Sequence, residues 1–148
     1  MFIPAAEYKK ILSVLPVLCV DCLIIHEQKC LLLRRTQEPA KGQYWFPGGR
    51  IFKGELIADA AMRKARDEVN LECTYEKTIS IEETIFAKQG NMPFDIHTVN
   101  ICCRLSVDDT SDLAIDGSHD GYLWAAPENI QTLDLHPAVY LPLLKCFA

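Results

Sequence analysis

No stretch of this sequence is apolar for the roughly 20 residues that a membrane-crossing helix needs. The longest apolar run, Val17 to Ile25, is broken by Asp21. Positive charge is also in short supply: 15 Lys and Arg face 20 Asp and Glu, a net charge of −5. Without a basic stripe, a general nucleic-acid partner is not expected. The opening MFIPAAEYKK lacks the basic segment, apolar stretch and small-residue cleavage site of an export signal. Seven cysteines make an odd count at irregular spacing, so a disulfide framework is not expected and a reduced, cytoplasmic setting is. Cys19-x-x-Cys22 lies in the strand-like run VLCVDCLII, where positions three apart face opposite ways, and no second Cys/His pair completes a zinc set. These thiols read as buried and inert. Repeats, low-complexity tracts and linkers are absent too, so residues 1–148 read as a single domain.

What is present alternates between strand and helix patterns. Ala5 to Leu15 has helical spacing and stops at Pro16. Val17–His26 and Cys30–Thr36 read as a hairpin turning at Glu27-Gln28-Lys29, and Gln37–Tyr44 as a loop. Phe46–Phe52 is a short extended piece around two glycines. Glu55–Val69 reads as a helix with an apolar stripe of Ile57, Ala60, Ala61, Ala65 and Val69, ended by Asn70, which tolerates a left-handed turn. Strands are expected at Thr78–Ala87, His97–Val107 and Gly121–Trp124. Pro127 opens a helical turn, and Pro137–Phe147 is a terminal helix interrupted by Pro142. This order predicts an α/β (α+β) sandwich with a mixed sheet.

Chemistry concentrates in FPGGRIFKGELIADAAMRKARDEVNL. Asp67 and Arg63 share one helical ridge, and Glu68 and Lys64 share the next. Carboxylates on one helix face, beside a Gly-Gly turn that lets backbone approach a ligand closely, suit a hard cation such as Mg²⁺ together with substrate phosphate. A solvated helix face laced with ion pairs has the same pattern. The acidic loop Asp108–Asp120 lacks the alternating acids, central glycine and final glutamate of a calcium-binding EF-hand loop, and reads as a solvated loop whose end delivers His119.

Gly49-x5-Glu55-x7-Arg63, followed by Asp67-Glu68, closely resembles the Nudix box, G-x5-E-x7-R-E-U-x-E-E-x-G-U. The resemblance implies an α/β/α sandwich around a mixed sheet, with the box as a loop-helix-loop. It also implies Mg²⁺-dependent hydrolysis of nucleoside diphosphates linked to another moiety. The box departs at Lys64, which replaces its first glutamate after the arginine, at Ala65, at Asn70 in place of glycine, and, more mildly, at Asp67. An ammonium at Lys64 removes a ligand and repels a second cation, so one metal is expected rather than several.

Loss of that glutamate is shared with the GDP-mannose mannosyl hydrolases, a Nudix subgroup that the chain resembles through MFIPAAEY, LLLRRTQEPAKGQYWFPGGR and Ser118-His119-Asp120-Gly121-Tyr122-Leu123-Trp124. By this resemblance His119 is the general base, Arg35 and Arg50 bind the diphosphate, and Asp21 touches sugar hydroxyls or orients the base. The Gly48 carbonyl and Glu68 hold the metal, with Asp67 or Asp120 compensating for Ser118, where the subgroup has a ligating glutamine. The subgroup's sheet tyrosine is missing near Thr98. The implied activity is hydrolysis of a GDP-hexose such as GDP-mannose by a homodimer, with water attacking the anomeric carbon. The alternatives are an ordinary Nudix pyrophosphohydrolase attacking phosphorus and a catalytically silent nucleotide-binding domain.

Overall fold

A computed structural model describes Met1–Ala148. At its centre is a mixed sheet with the strand path β3-β2-β1-β6-β5. β1 (Val17–His26) and β2 (Lys29–Arg35) form the expected hairpin, with Glu27 and Gln28 both at positive φ in the turn. β6 (Ile96–Ser106) runs parallel to β1, in register from Val17 opposite Thr98 to Ile25 opposite Ser106. β5 (Thr74–Phe86) pairs antiparallel along the far side of β6. Two short strands, β3 (Tyr44–Trp45) and β4 (Gly48–Arg50), pair with β2 and β1 respectively, and β7 (His119–Ala125) pairs with β2.

The strands alternate between two cores. Val20, Cys22 and Ile24 of β1 face α2 (Ile57–Val69), whose Ala60, Ala61, Ala65 and Val69 pack on that side. Three alanines in this stripe let the helix axis approach the sheet closely. Leu23 and Ile25 face the other way, onto Val139, Leu143 and Cys146 of α3 (Pro137–Phe147). The result is the expected sandwich of helices about a mixed sheet. All seven cysteines are unpaired and six of them are buried, including Cys19 and Cys22. None of the helices is long and apolar enough to cross a membrane.

Several boundaries differ from the sequence pattern, each for a local reason. α2 begins at Ile57, not Glu55, because the Glu55 side chain turns back to accept a hydrogen bond from the Phe52 amide at 3.0 Å. β7 begins at His119, so this histidine sits on the ladder rather than at a loop tip. Pro142 does not interrupt α3. It is buried on the same stripe as Val139, Leu143 and Cys146, and this packing offsets the backbone hydrogen bond that proline cannot donate. Pro127 opens a run of turns rather than helix, closed by the amides of Asn129 and Thr132. Asn70 takes the left-handed conformation as expected, at φ 55°.

α1 (Ala5–Val14) is unlike the other helices in burying none of its residues. Met1, Phe2, Val14 and Leu15 stay exposed around it.

Candidate active site

A cleft of about 360 Å³ opens where β1 and β6 run side by side beneath α1. Cys19 and Asp21 of β1 and Thr98 and Asn100 of β6 line it, as parallel pairing in register brings residues of the same parity to one face. Arg35, Gly48, Gly49 and Arg50 complete its polar wall. β4 lies so close to β1 that a Cβ on Gly48 would collide with the Val20 carbonyl and come within 2.8 Å of an Asp21 carboxylate oxygen. Gly49 has φ 155°, which also disfavours a side chain. The double glycine is therefore what lets this turn form the cleft's floor.

Two of the box residues build the turn rather than the chemistry. Arg63 grips Glu55 with two hydrogen bonds, Nε to Oε2 at 2.6 Å and Nη2 to Oε1 at 2.9 Å. The same Nη2 donates to the Arg50 carbonyl at 3.1 Å, and the guanidinium lies 3.8 Å from the Phe52 ring centroid. The Arg63 bonds hold the Glu55 carboxyl below its usual range. Asp67 is more than half exposed and meets Arg63 only at 3.5 Å.

Glu68 is buried, and both of its oxygens are engaged. Oε2 accepts from the Gly48 amide at 2.8 Å, and Oε1 lies 3.0 Å from the Lys64 ammonium. A Cβ on Gly49 would lie 3.2 Å from the Lys64 Nζ, so the ammonium stands behind Gly49, although neither Lys64 nor Glu68 is among the residues lining the cleft. Of the expected Mg²⁺ ligands, Gly48 and Glu68 meet through the Gly48 amide, and Asp67 stands apart from them. The Gly48 amide and Lys64 hold Glu68, and Asp67 faces Arg63. Asp120 cannot compensate, since it pairs with Arg34 at 2.6 Å. No three Asp, Glu, His or Cys side chains converge as a metal site. Unit like charges 4 Å apart repel by about 4 kcal/mol at an effective dielectric near 20, and a divalent ion beside Lys64 would double this. The residues present do not fit the metal that the box pattern implies.

Asp21 is buried in the cleft wall. Burial pushes its carboxyl up to about 7; a hydrogen bond from Asn100 opposes this, Glu68 adds to it, and Arg35 again opposes it. Arg35 itself is lowered by burial, against the pull of Glu68, Asp21 and Glu38, and its Nε donates to the Pro39 carbonyl at 2.7 Å. The alternation of the two arginines thus resolves as chemistry requires: Arg35 enters the cleft, and Arg34 points out to Asp120. Arg50 stacks near Tyr8 and Phe52 and donates to the Met1 carbonyl at 3.0 Å, tying the N-terminus to the rim.

His119 is not among the residues lining the cleft, but the β2–β7 ladder sets it opposite Arg35. Its Nδ1 lies 2.8 Å from an Asp116 carboxylate oxygen and 3.1 Å from the Ser118 hydroxyl, and its side chain is 5% exposed. Burial pushes the Asp116 carboxyl up, but bonds from Ser118 and His119 outweigh this and hold it low. A carboxylate on Nδ1 fixes the ring and leaves Nε2 as the acceptor when the ring is neutral. Ser118 therefore serves the histidine rather than a metal. Sequence reasoning missed Asp116 and Asn100. The Asp116-x-x-His119 spacing hinted at the first. Asn100 could be found only from the β1–β6 register.

The NUDIX domain family model matches residues 15–145. A low-salt glycan biosynthesis protein, Agl8, from Haloferax volcanii is 32% identical over 118 residues, covering 79% of this chain and 75% of that protein. A NUDIX hydrolase structure from Nitrosomonas europaea superposes with TM-score 0.69 at 20% identity, over 86% of this chain and 68% of that one. The NUDIX domain of Shewanella oneidensis NrtR, solved with ADP ribose, superposes with TM-score 0.64 at 18% identity, over 97% of each chain.

Proposed function

This chain belongs to the NUDIX family, and we propose that it hydrolyses a nucleotide sugar, a GDP-hexose such as GDP-mannose, to GDP and free sugar. The observation carrying this reading is the Glu68–Lys64 pair. Attack at phosphorus in this family draws on a glutamate cluster that collects metal ions, and here an ammonium occupies the cluster. What remains suits attack at carbon. Arg35 and Arg50 supply positive charge for a diphosphate leaving group. His119, oriented by Asp116, takes the proton from water as oxygen bonds to the anomeric carbon and the bond to the diphosphate breaks. Asp21 and Asn100 offer hydrogen bonds to sugar hydroxyls in the same cleft. The glycan biosynthesis role named for the Haloferax relative supports a sugar substrate, and the ADP ribose bound by the NrtR domain supports a diphosphate-linked one. Nudix hydrolases generally use divalent metals such as Mg²⁺, but the donor set described above does not fit one, and none of these steps passes through it.

Hydrolysis of a nucleotide-sugar panel in ¹⁸O-labelled water tests the reading. GDP and labelled free sugar are expected. Labelled phosphate in GMP or sugar phosphate would replace it with a pyrophosphohydrolase, and absence of turnover across the panel would replace it with a silent nucleotide-binding domain.

The same reading includes a homodimer in the cytoplasm. The unpaired thiols fit a reducing compartment. A second copy would cover the exposed apolar surface of Met1, Phe2, Val14 and Leu15 around α1. Sedimentation at micromolar concentration is expected to give twice the 16.7 kDa chain mass, and Phe2→Ser with Leu15→Ser to shift it toward one. A wild-type protein sedimenting as a single chain would remove the dimer.

A further inference from the structure

We propose that Lys64 is the resident cation of this site, and that the cleft binds nucleoside diphosphates without a divalent metal. This rests on the reading above that the cleft takes a diphosphate. Lys64 Nζ stands 3.0 Å from Glu68 Oε1 and against Gly49, where a Cβ would meet Nζ at 3.2 Å. Glu68 is in turn anchored by the Gly48 amide, so both partners of the pair are held at the glycine floor. The Lys64 side chain is only 18% exposed, so its charge is screened less than that of a surface lysine. An ammonium has three donors. Glu68 is its one ionic partner, which leaves donors for a ligand.

Arg35, Arg50 and Lys64 bring three positive charges to the glycine turn and its surroundings, matched by Glu68, Asp21 and Glu38, so Lys64 is one of three cations a diphosphate could meet there. The carboxylate that would hold a metal instead holds a lysine, and the lysine delivers the positive charge at the same place.

Two titrations on the full chain separate this proposal from the proposed hydrolysis. In the first, Mn²⁺ alone is followed by electron paramagnetic resonance. Wild type is expected to show no site tighter than millimolar, and Lys64→Glu to gain one at least tenfold tighter. In the second, GDP is titrated by calorimetry in EDTA and again in Mg²⁺. Wild type is expected to bind equally in both. Lys64→Met, which keeps length without charge, should weaken binding in EDTA tenfold or more, and Lys64→Arg should restore most of it. The Met and Arg variants keep the test open should the glutamate variant fail to fold. Micromolar Mn²⁺ binding by wild type, GDP binding that requires Mg²⁺, or a Lys64→Met protein that binds GDP as wild type does would each overturn the proposal. None of those outcomes bears on which bond is hydrolysed. A failure of GDP to bind under either condition would defeat the diphosphate reading and this proposal with it.

Discussion

Asp21→Asn should gain stability relative to wild type as pH rises from about 4 to about 7, and hold that gain above. The carboxyl is buried in the cleft wall, and burial pushes it up to about 7 from its ordinary value of 3.8. A folded-state value above the unfolded one means that the folded protein holds the proton more tightly. The stability Asp21 contributes is then complete below pH 3.8 and is lost as pH climbs through about 7. At about 1.4 kcal/mol per pKa unit, the whole swing is on the order of 4 kcal/mol. Asparagine mimics the protonated acid and titrates nowhere in this range. Thermal melts of the two proteins from pH 4 to pH 8 should diverge by roughly 8–16 °C for a chain of this size. Melting curves that stay parallel across the range would show that Asp21 titrates as an ordinary solvated acid. The same variant separates stability from chemistry: if the ionised carboxylate orients sugar or base, activity falls while the fold strengthens.

Arg63→Met is expected to be the most damaging single change in the box helix, through stability rather than catalysis. The guanidinium makes two bonds to Glu55, one to the Arg50 carbonyl and a stacked contact on Phe52. Both partners are less than one-fifth exposed. Fully buried pairs cost about 3–5 kcal/mol when one partner is removed. Discounting for this exposure gives roughly 3 kcal/mol, or about 6–12 °C in melting temperature. Glu55→Gln should cost less, since the amide oxygen can still accept from the Phe52 amide. A double-mutant cycle on denaturant midpoints should return a coupling above about 1 kcal/mol. A coupling near zero would reduce the pair to a surface ion pair.

Periodicity and spacing made much of this protein legible. The alternation of Val20, Cys22 and Ile24 with Leu23 and Ile25 announces a strand covered on both faces. The alanine stripe announces the helix that covers one of them. Both are local consequences of period, and local period survives folding unchanged. Gly49, Glu55, Arg63 and Glu68 were legible as a set because their spacing is fixed along one loop and helix. Helix ends and strand starts were less so. Glu55 leaves the helix to serve the Phe52 amide, and His119 joins a strand because β2 is there to pair with it.

Tertiary structure alone decided the partners of each charged group. Spacing puts Lys64 and Glu68 on one ridge but does not say that the Gly48 amide takes the second carboxylate oxygen. A residue 20 positions away closes that site. The pairing of β1 with β6 spans some 80 residues of chain, and its register sets Asn100 opposite Cys19, within reach of Asp21, whose carboxyl burial raises and Asn100 opposes. By itself the sequence determined the fold class, the box and the residues available for chemistry. Burial and long-range register decided which of them meet, because a side chain's charge state and bonding depend on neighbours that no local pattern contains.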